Sequence, residues 1–176
     1  MSEKNQLTDK LIDAYNAMAE RASATLEHAK EGVDNINEAV DQAVETAVEL
    51  DEMSRDEAER VALYLKRDLH DAGEHASREG HELADWFHMD MELIEASLLD
   101  LVSRAADPTT LDQLRFQLEN QARQYQAGDI TAPGGLQCEE CGHVHRHEST
   151  GKLPVCTACG STRFRRVHRG NIEDRR

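Results

Sequence analysis

Aromatic residues are scarce: 7 of 176, with a single tryptophan. Aromatic side chains supply the largest buried areas in a core, so a large packed α/β domain is excluded. No apolar stretch approaches the roughly 18 residues a membrane-spanning helix needs, and the polar start Met1-Ser-Glu-Lys-Asn-Gln-Leu-Thr-Asp-Lys10 has no apolar signal core. A cytoplasmic location is the resulting expectation. No catalytic triad, phosphate-cradling glycine loop or nucleotide fingerprint is present, so no enzymatic activity and no catalytic residue are expected. Lysine is rare, 5 against 15 arginines, and there are only 4 cysteines.

What is abundant is charge, 31% of the chain, with a net of −15. Such a mixture favours long solvated helices. The charge is unevenly placed. Residues 1–135 carry 12 Lys and Arg against 30 Asp and Glu, a net of −18, and residues 136–176 carry 8 against 5, a net of +3. The acidic body repels phosphates, so nucleic acid can be met only by the C-terminal part. A protein is the partner expected, and no membrane.

The acidic part is periodic. Leu7, Leu11, Ala14, Met18, Ala22, Thr25, Ala29, Val33, Ile36, Val40, Val44 and Ala47 follow steps of 4, 3 and 4. That repeat keeps one face of a nearly straight helix apolar. It predicts one helix from about Gln6 to Glu49, with Gly32 inside it. Ser54 and Glu57 then match a capping box, opening a second helix with Val61, Leu65, Leu69, Ala72, Ala76, Leu83, Trp86, Phe87, Ile94, Leu98 and Leu101 on its buried face. Gly73 and Gly80 suggest a bend. The short link implies an antiparallel hairpin, and counting from residue 52 sets Met18 opposite Trp86. Asp107-Pro108 starts a third helix with Leu111, Leu114, Leu118 and Tyr125 inward and Gly128 as its stop.

All four cysteines lie in two matching turns, Cys138-Glu-Glu-Cys141-Gly142 and Cys156-Thr-Ala-Cys159-Gly160. Two residues between thiolates let both sulfurs reach one metal at about 2.3 Å. The glycine after each pair suits a positive φ. The spacing reads as a four-thiolate site for one structural Zn²⁺. Iron bound as in rubredoxin, or a redox dithiol pair, uses the same residues. Short strands are expected around 135–137, 144–148, 153–155 and 163–167. The fold expected is therefore mainly α: a long antiparallel helical hairpin plus a third helix, followed by a small C-terminal β zinc ribbon. The corresponding domains are 1–130, a linker at 131–135, the ribbon at 136–170 and a tail at 171–176. In that division the metal folds the ribbon and leaves the helices independent.

Other candidates are weaker. Asp51, Glu52, Asp56 and Glu57 form an acidic hairpin tip, and Arg163, Arg165 and Arg166 begin a basic stretch that continues to Arg169, Arg175 and Arg176. The tip and the first three arginines are the candidate partner contacts. The other reading of both is solvated surface. His143, His145 and His147 alternate along one strand and read as exposed polar residues, with an accessory metal face as the alternative. His28, His70, His75, His81 and His88 read as surface positions.

The segments Leu50-Asp-Glu-Met-Ser-Arg-Asp-Glu57, Leu65-Lys-Arg-Asp-Leu69, Tyr125-Gln-Ala-Gly128 and Gly134-Gly-Leu-Gln-Cys138 through Cys159-Gly160 resemble the YbeL-type zinc-ribbon-containing family of bacterial proteins, a domain of unknown function. The resemblance spans most of the chain. It implies zinc at the four cysteines and no known activity. A looser architectural likeness is to DksA-type factors that enter the RNA polymerase secondary channel, which sets an alternative beside a non-enzymatic interaction protein: a transcription-linked regulator working through the tip or the basic ribbon tail.

Overall fold

The computed structural model describes residues 3–28, 35–78, 82–87, 92, 94–118 and 124–168. Their order is α1 (Glu3–Glu27), α2 (Ile36–Glu49), α3 (Arg55–Ala76), α4 (Leu83–Phe87), α5 (Ala96–Ala105), α6 (Pro108–Leu118), then β1 (Tyr125–Gln126), β2 (Ile130–Thr131), β3 (Gly134–Cys138), β4 (Val144–His147), β5 (Gly151–Lys152) and β6 (Arg163–Val167). The chain is mainly α and closes with a small antiparallel β region holding the cysteines, as the patterns predict.

The first helical segment differs from the expectation. It is two helices, packed on each other. A continuous helix at 1.5 Å per residue would hold Arg21 about 42 Å from Glu49. Instead the Arg21 guanidinium makes a bidentate pair with Glu52 at 2.6 and 2.7 Å. The signal for the break is Asn35, which caps α2: its side chain accepts the Glu38 backbone N–H at 3.0 Å. The eleven-residue stripe survives this break because both helices turn it toward one core; Met18, Ala22, Ile36, Val40, Val44 and Ala47 are buried. Ala29, Gly32 and Val33 lie outside the described residues. The register counted from residue 52 would carry Tyr15 beyond Phe87, but its hydroxyl donates to Asp68 at 2.8 Å.

The second segment starts where expected. Ser54 accepts from the Glu57 N–H and donates its own N–H to the Glu57 carboxylate, completing the capping box. Gly73 makes no bend; α3 runs through it. It allows close packing, since a Cβ there would sit 2.6 Å from the Ala105 carbonyl oxygen of α5. Gly80 lies outside the described residues. Asp107 caps α6 by accepting the Thr109 and Thr110 N–H groups at 3.0 and 3.1 Å, with Pro108 in the first turn.

Tyr125 is not on the third helix. It pairs with Phe164 in β1, and Gly128 (φ 105°) turns the chain from β1 to β2 instead of ending a helix. The main sheet runs β1-β6-β3-β4 and a second ladder pairs β2 with β5. The strand expected at 153–155 falls at Gly151–Lys152, and Val155 is 55% exposed. The ribbon keeps a core of Tyr125, Leu136, Cys138, Leu153, Cys156 and Phe164. Ile130 and Ala132 instead enter the helical core beside Leu65, Leu69, Trp86 and Leu101. The segment expected to be a linker, 131–135, is buried throughout.

Candidate metal centre and the seam behind it

Two turns of the same construction carry the sulfurs. In the first, the Cys138 N–H donates to the His143 carbonyl at 2.8 Å and the Gly142 N–H to the Cys138 carbonyl at 3.0 Å. In the second, the Cys156 N–H donates to Ser161 and the Gly160 N–H to Cys156, both at 2.8 Å. Gly142 and Gly160 each have φ 77°, the left-handed value the sequence calls for at both positions. Register then brings the turns together, because β3 ends on Cys138 opposite Phe164 of β6.

The four sulfurs lie within 4.8 Å of one another. Cys138 and Cys159 are 3.6 Å apart, and Cys141 and Cys156 are 3.5 Å apart. These separations exceed a disulfide bond of about 2.05 Å. They approach the tetrahedral edge of about 3.8 Å that zinc–sulfur bonds of about 2.3 Å impose. Donor set, number and spacing therefore fit a single tetrahedral metal. Burial opposes ionisation of Cys138, but the backbone N–H groups of Cys141 and Glu140 outweigh it and bring the thiol down to about 6. The Ser161 N–H favours a thiolate at Cys159, yet the sulfurs of Cys141, Cys138 and Cys156 push that thiol up to about 12. One thiolate forms readily in this cluster; four together call for a cation.

No histidine joins the metal cluster among the described residues. His143 and His145 meet edge to face at 4.8 Å, and His145 packs on Phe164 at 5.4 Å. Burial lowers the pKa of both His145 and His147, with His143 acting on the first and Arg166 on the second. His75, expected at the surface, is buried and stacks on His168 with ring centroids 4.2 Å apart. His28 is exposed, and His81 and His88 lie outside the described residues.

Behind the metal site lies a feature that the sequence reading missed. Arg166, two residues beyond Phe164 on β6, reaches through the seam between ribbon and helices. Its guanidinium donates to Thr131 Oγ1 at 2.6 Å and to the Pro133 carbonyl at 2.9 Å, and stacks over the Trp86 ring at 4.1 Å. Asp68 of α3 lies 3.7 Å away and accepts from the Ala132 N–H at 2.7 Å and from Tyr15. Arg67 donates to Asp129 at 2.7 Å and to the Ile130 carbonyl, and covers the Tyr125 ring at 3.9 Å. Trp86 Nε1 donates to Asp71 at 2.9 Å. Burial, followed by the Asp68 charge, pushes the Tyr15 phenol well above its ordinary range. Gly134 (φ 137°) passes under this cluster, where a Cβ would run into the Arg166 guanidinium and the Trp86 carbonyl. A sequence signal for Asp68 exists: it keeps step with Val61, Leu65 and Ala72 on the buried face of α3.

Arg166 is thus removed from the exposed basic face. Arg163 pairs with Glu140, and Arg165 donates to Gln137. At the acidic tip, Glu52 is held by Arg21 and Glu57 by the capping box and Lys10, while Asp51 and Asp56 are exposed and make no ion pair among the described residues. Hydrogen bonding from Arg21 keeps the Glu52 carboxyl below its usual range. The tip rests against α1 and does not project as a bare acidic element.

A helical body closed by two cysteine knuckles on a small antiparallel sheet defines a zinc-ribbon protein. The family model for the zinc-ribbon containing domain matches residues 5–168, and the chain belongs to that family. It is similar to "Uncharacterized protein YbeL" of Escherichia coli K12, 28% identical over 149 residues, which cover 84% of this chain and 91% of that one. The proteins of the same name from E. coli O6:H1 and O157:H7 match to the same extent. No solved structure matches the chain. No helix among the described residues is long and apolar enough to cross a membrane.

Proposed function

We propose that this chain is a non-enzymatic interaction protein whose C-terminal ribbon is held by one structural Zn²⁺ on Cys138, Cys141, Cys156 and Cys159. The observation that carries the reading is the convergence of four unpaired sulfurs within 4.8 Å, on turns matched in hydrogen bonding and in φ. With four protein ligands a zinc ion has no open position for substrate or water. Its contribution is cohesion, since the ribbon core of six side chains is too small to fold unaided. Thiols so close would pair in an oxidising compartment, which favours the reducing cytoplasm.

Elemental analysis of the purified chain tests this. One zinc per chain, lost in Cys138→Ser, supports the reading. Iron in its place, or thiols that titrate freely in the native protein, overturns it. So does a turnover that disappears with the same substitution.

A further inference from the structure

The strand β4 is an edge of the main sheet and pairs only with β3 among the described residues. An antiparallel ladder turns alternate residues of a strand toward its neighbour and the others away. The Cys138 N–H donates to the His143 carbonyl at 2.8 Å, which sets the phase. With Leu136 opposite His145 and Gly134 opposite His147, the backbone groups of His143, His145 and His147 face β3. Those of Val144 and Arg146 face outward and make no hydrogen bond within the chain among the described residues. Such a row of unpaired N–H and C=O groups is a template for another strand.

The charge around this edge has one sign. The strands β1, β3, β4 and β6 hold four arginines and no acidic residue. Arg166 is taken up in the seam, Arg163 pairs with Glu140 of the first knuckle, and Arg165 holds the neutral Gln137. Arg146 is exposed and has no partner among the described residues. It shares its face of the sheet with Val144, Gln137 and Arg165, and Glu148 follows only beyond the end of β4. The opposite face of β4 presents His145, packed on Phe164. A charge on an edge blunts pairing with strands of like sign or of apolar character, and here it selects for an acid. A residue paired with Arg146 would place its Cβ about 5.5 Å or less from that of Arg146, where a carboxylate is attracted and an ammonium repelled. The alternate residues of the incoming strand lie on the His145 face, where β-branched side chains suit an aromatic neighbour.

We infer that the outer edge of β4 takes an extended acidic segment of a partner protein as an added antiparallel strand. The inference names the partner chemistry for the interaction role proposed above and rests on that role.

The test uses the full chain as purified and a fluorescein-labelled Gly-Val-Glu-Val-Glu-Val-Gly peptide, read by fluorescence anisotropy at physiological ionic strength. Saturable binding is expected. N-methylation of both glutamates, whose N–H groups would face β4, is expected to abolish binding with every charge retained. N-methylation of the valines, whose N–H groups would face away, is expected to leave it. Arg146→Ala removes an exposed side chain and is expected to weaken binding about two- to fivefold, the scale of a cross-strand pair. Arg146→Glu is expected to weaken it further and to take up the peptide with lysine in place of glutamate. Absence of binding overturns the inference, and so does binding indifferent to Arg146. Equal binding of the two methylated peptides overturns it as well, since charge alone then holds the peptide. A single-stranded oligonucleotide held more tightly than the peptide, and lost with Arg146→Ala, would make this a phosphate site. A chain that is dimeric in light scattering and monomeric as Arg146→Glu would make a second copy the occupant. Either result overturns the inference. Zinc measured on the same samples bears on the metal reading alone: a zinc-loaded chain that ignores the peptide leaves that reading standing and refutes this one.

Discussion

The helical body and the ribbon reach stability by different routes. The body buries many small apolar side chains, Ala19, Ala22, Ala39, Ala43, Ala47 and Ala72 among them, and spaces its few large ones along repeating stripes. The ribbon has a core of six residues, two of which are metal-candidate cysteines. Either region alone has an ordinary logic. Where they meet the logic changes, because the seam buries Arg67, Asp68 and Arg166, charges that neither pattern calls for. Buried charges are tolerated only when paired and hydrogen-bonded, and each of these has a partner across the seam: Arg67 on Asp129, Asp68 on the Ala132 N–H, and Arg166 beside Asp68 and over Trp86. Beside the apolar anchor of Ile130 and Ala132, the ribbon's hold on the body is therefore polar and directional, and it places β6, opposite Cys138, in contact with Trp86.

The largest perturbation is Cys138→Ser. Structural zinc contributes an apparent ~10–16 kcal/mol to small modules, so amide protection across 134–167 is expected to vanish in hydrogen exchange. Next is Asp68→Ala. Removing one member of a buried pair costs about 3–5 kcal/mol, and here it strips the acceptor from Tyr15 and Ala132 as well. Denaturant unfolding followed by helical circular dichroism and by ribbon hydrogen exchange should show both regions weakened together; loss from one alone would break the comparison. Gly73→Ala drives a Cβ into the Ala105 carbonyl. Overpacking of this kind costs about 1–3 kcal/mol, confined to the body, with zinc stoichiometry unchanged in elemental analysis. Ser54→Ala removes a cap worth about 1 kcal/mol, and is expected to shift only the helical melt.

What was legible in the sequence followed local rules. The Ser54–Glu57 box, the Asp107-Pro108 start and both cysteine knuckles depend on neighbours a few residues apart, and all three stand in the structure. The break between α1 and α2 was hidden because the apolar repeat continues in phase on both sides of it, while Asn35 with Glu38, the local mark of a new helix, is a weaker signal than the stripe. Tyr125 was read as helical because its spacing from Leu118 suits a helix face, yet it pairs with Phe164, 39 positions away. Arg166 was read as part of a basic surface stretch, and Arg67 and Asp68 were given no role. The Asp68 hydrogen bonds to Tyr15 and Ala132 span 53 and 64 residues and those of Arg166 span 33 to 35, so no short window along the chain contains them. The carboxylates of the tip were legible as acids but not as partners of Arg21 and Lys10, since that pairing follows from the unseen break.

The claim that the metal site and the helices are joined through this seam has a direct reporter in Trp86, the single tryptophan, which lies on the helical side beneath the Arg166 guanidinium of β6. Chelation of the zinc-loaded chain, followed by tryptophan emission and the helical melting curve on one sample, tests it. Loss of metal is expected to red-shift Trp86 emission as water enters the seam and to lower the melting temperature of the helices. A ribbon that loses its metal and its amide protection while Trp86 emission and the helical melt stay unchanged would contradict it and make the two regions independent modules.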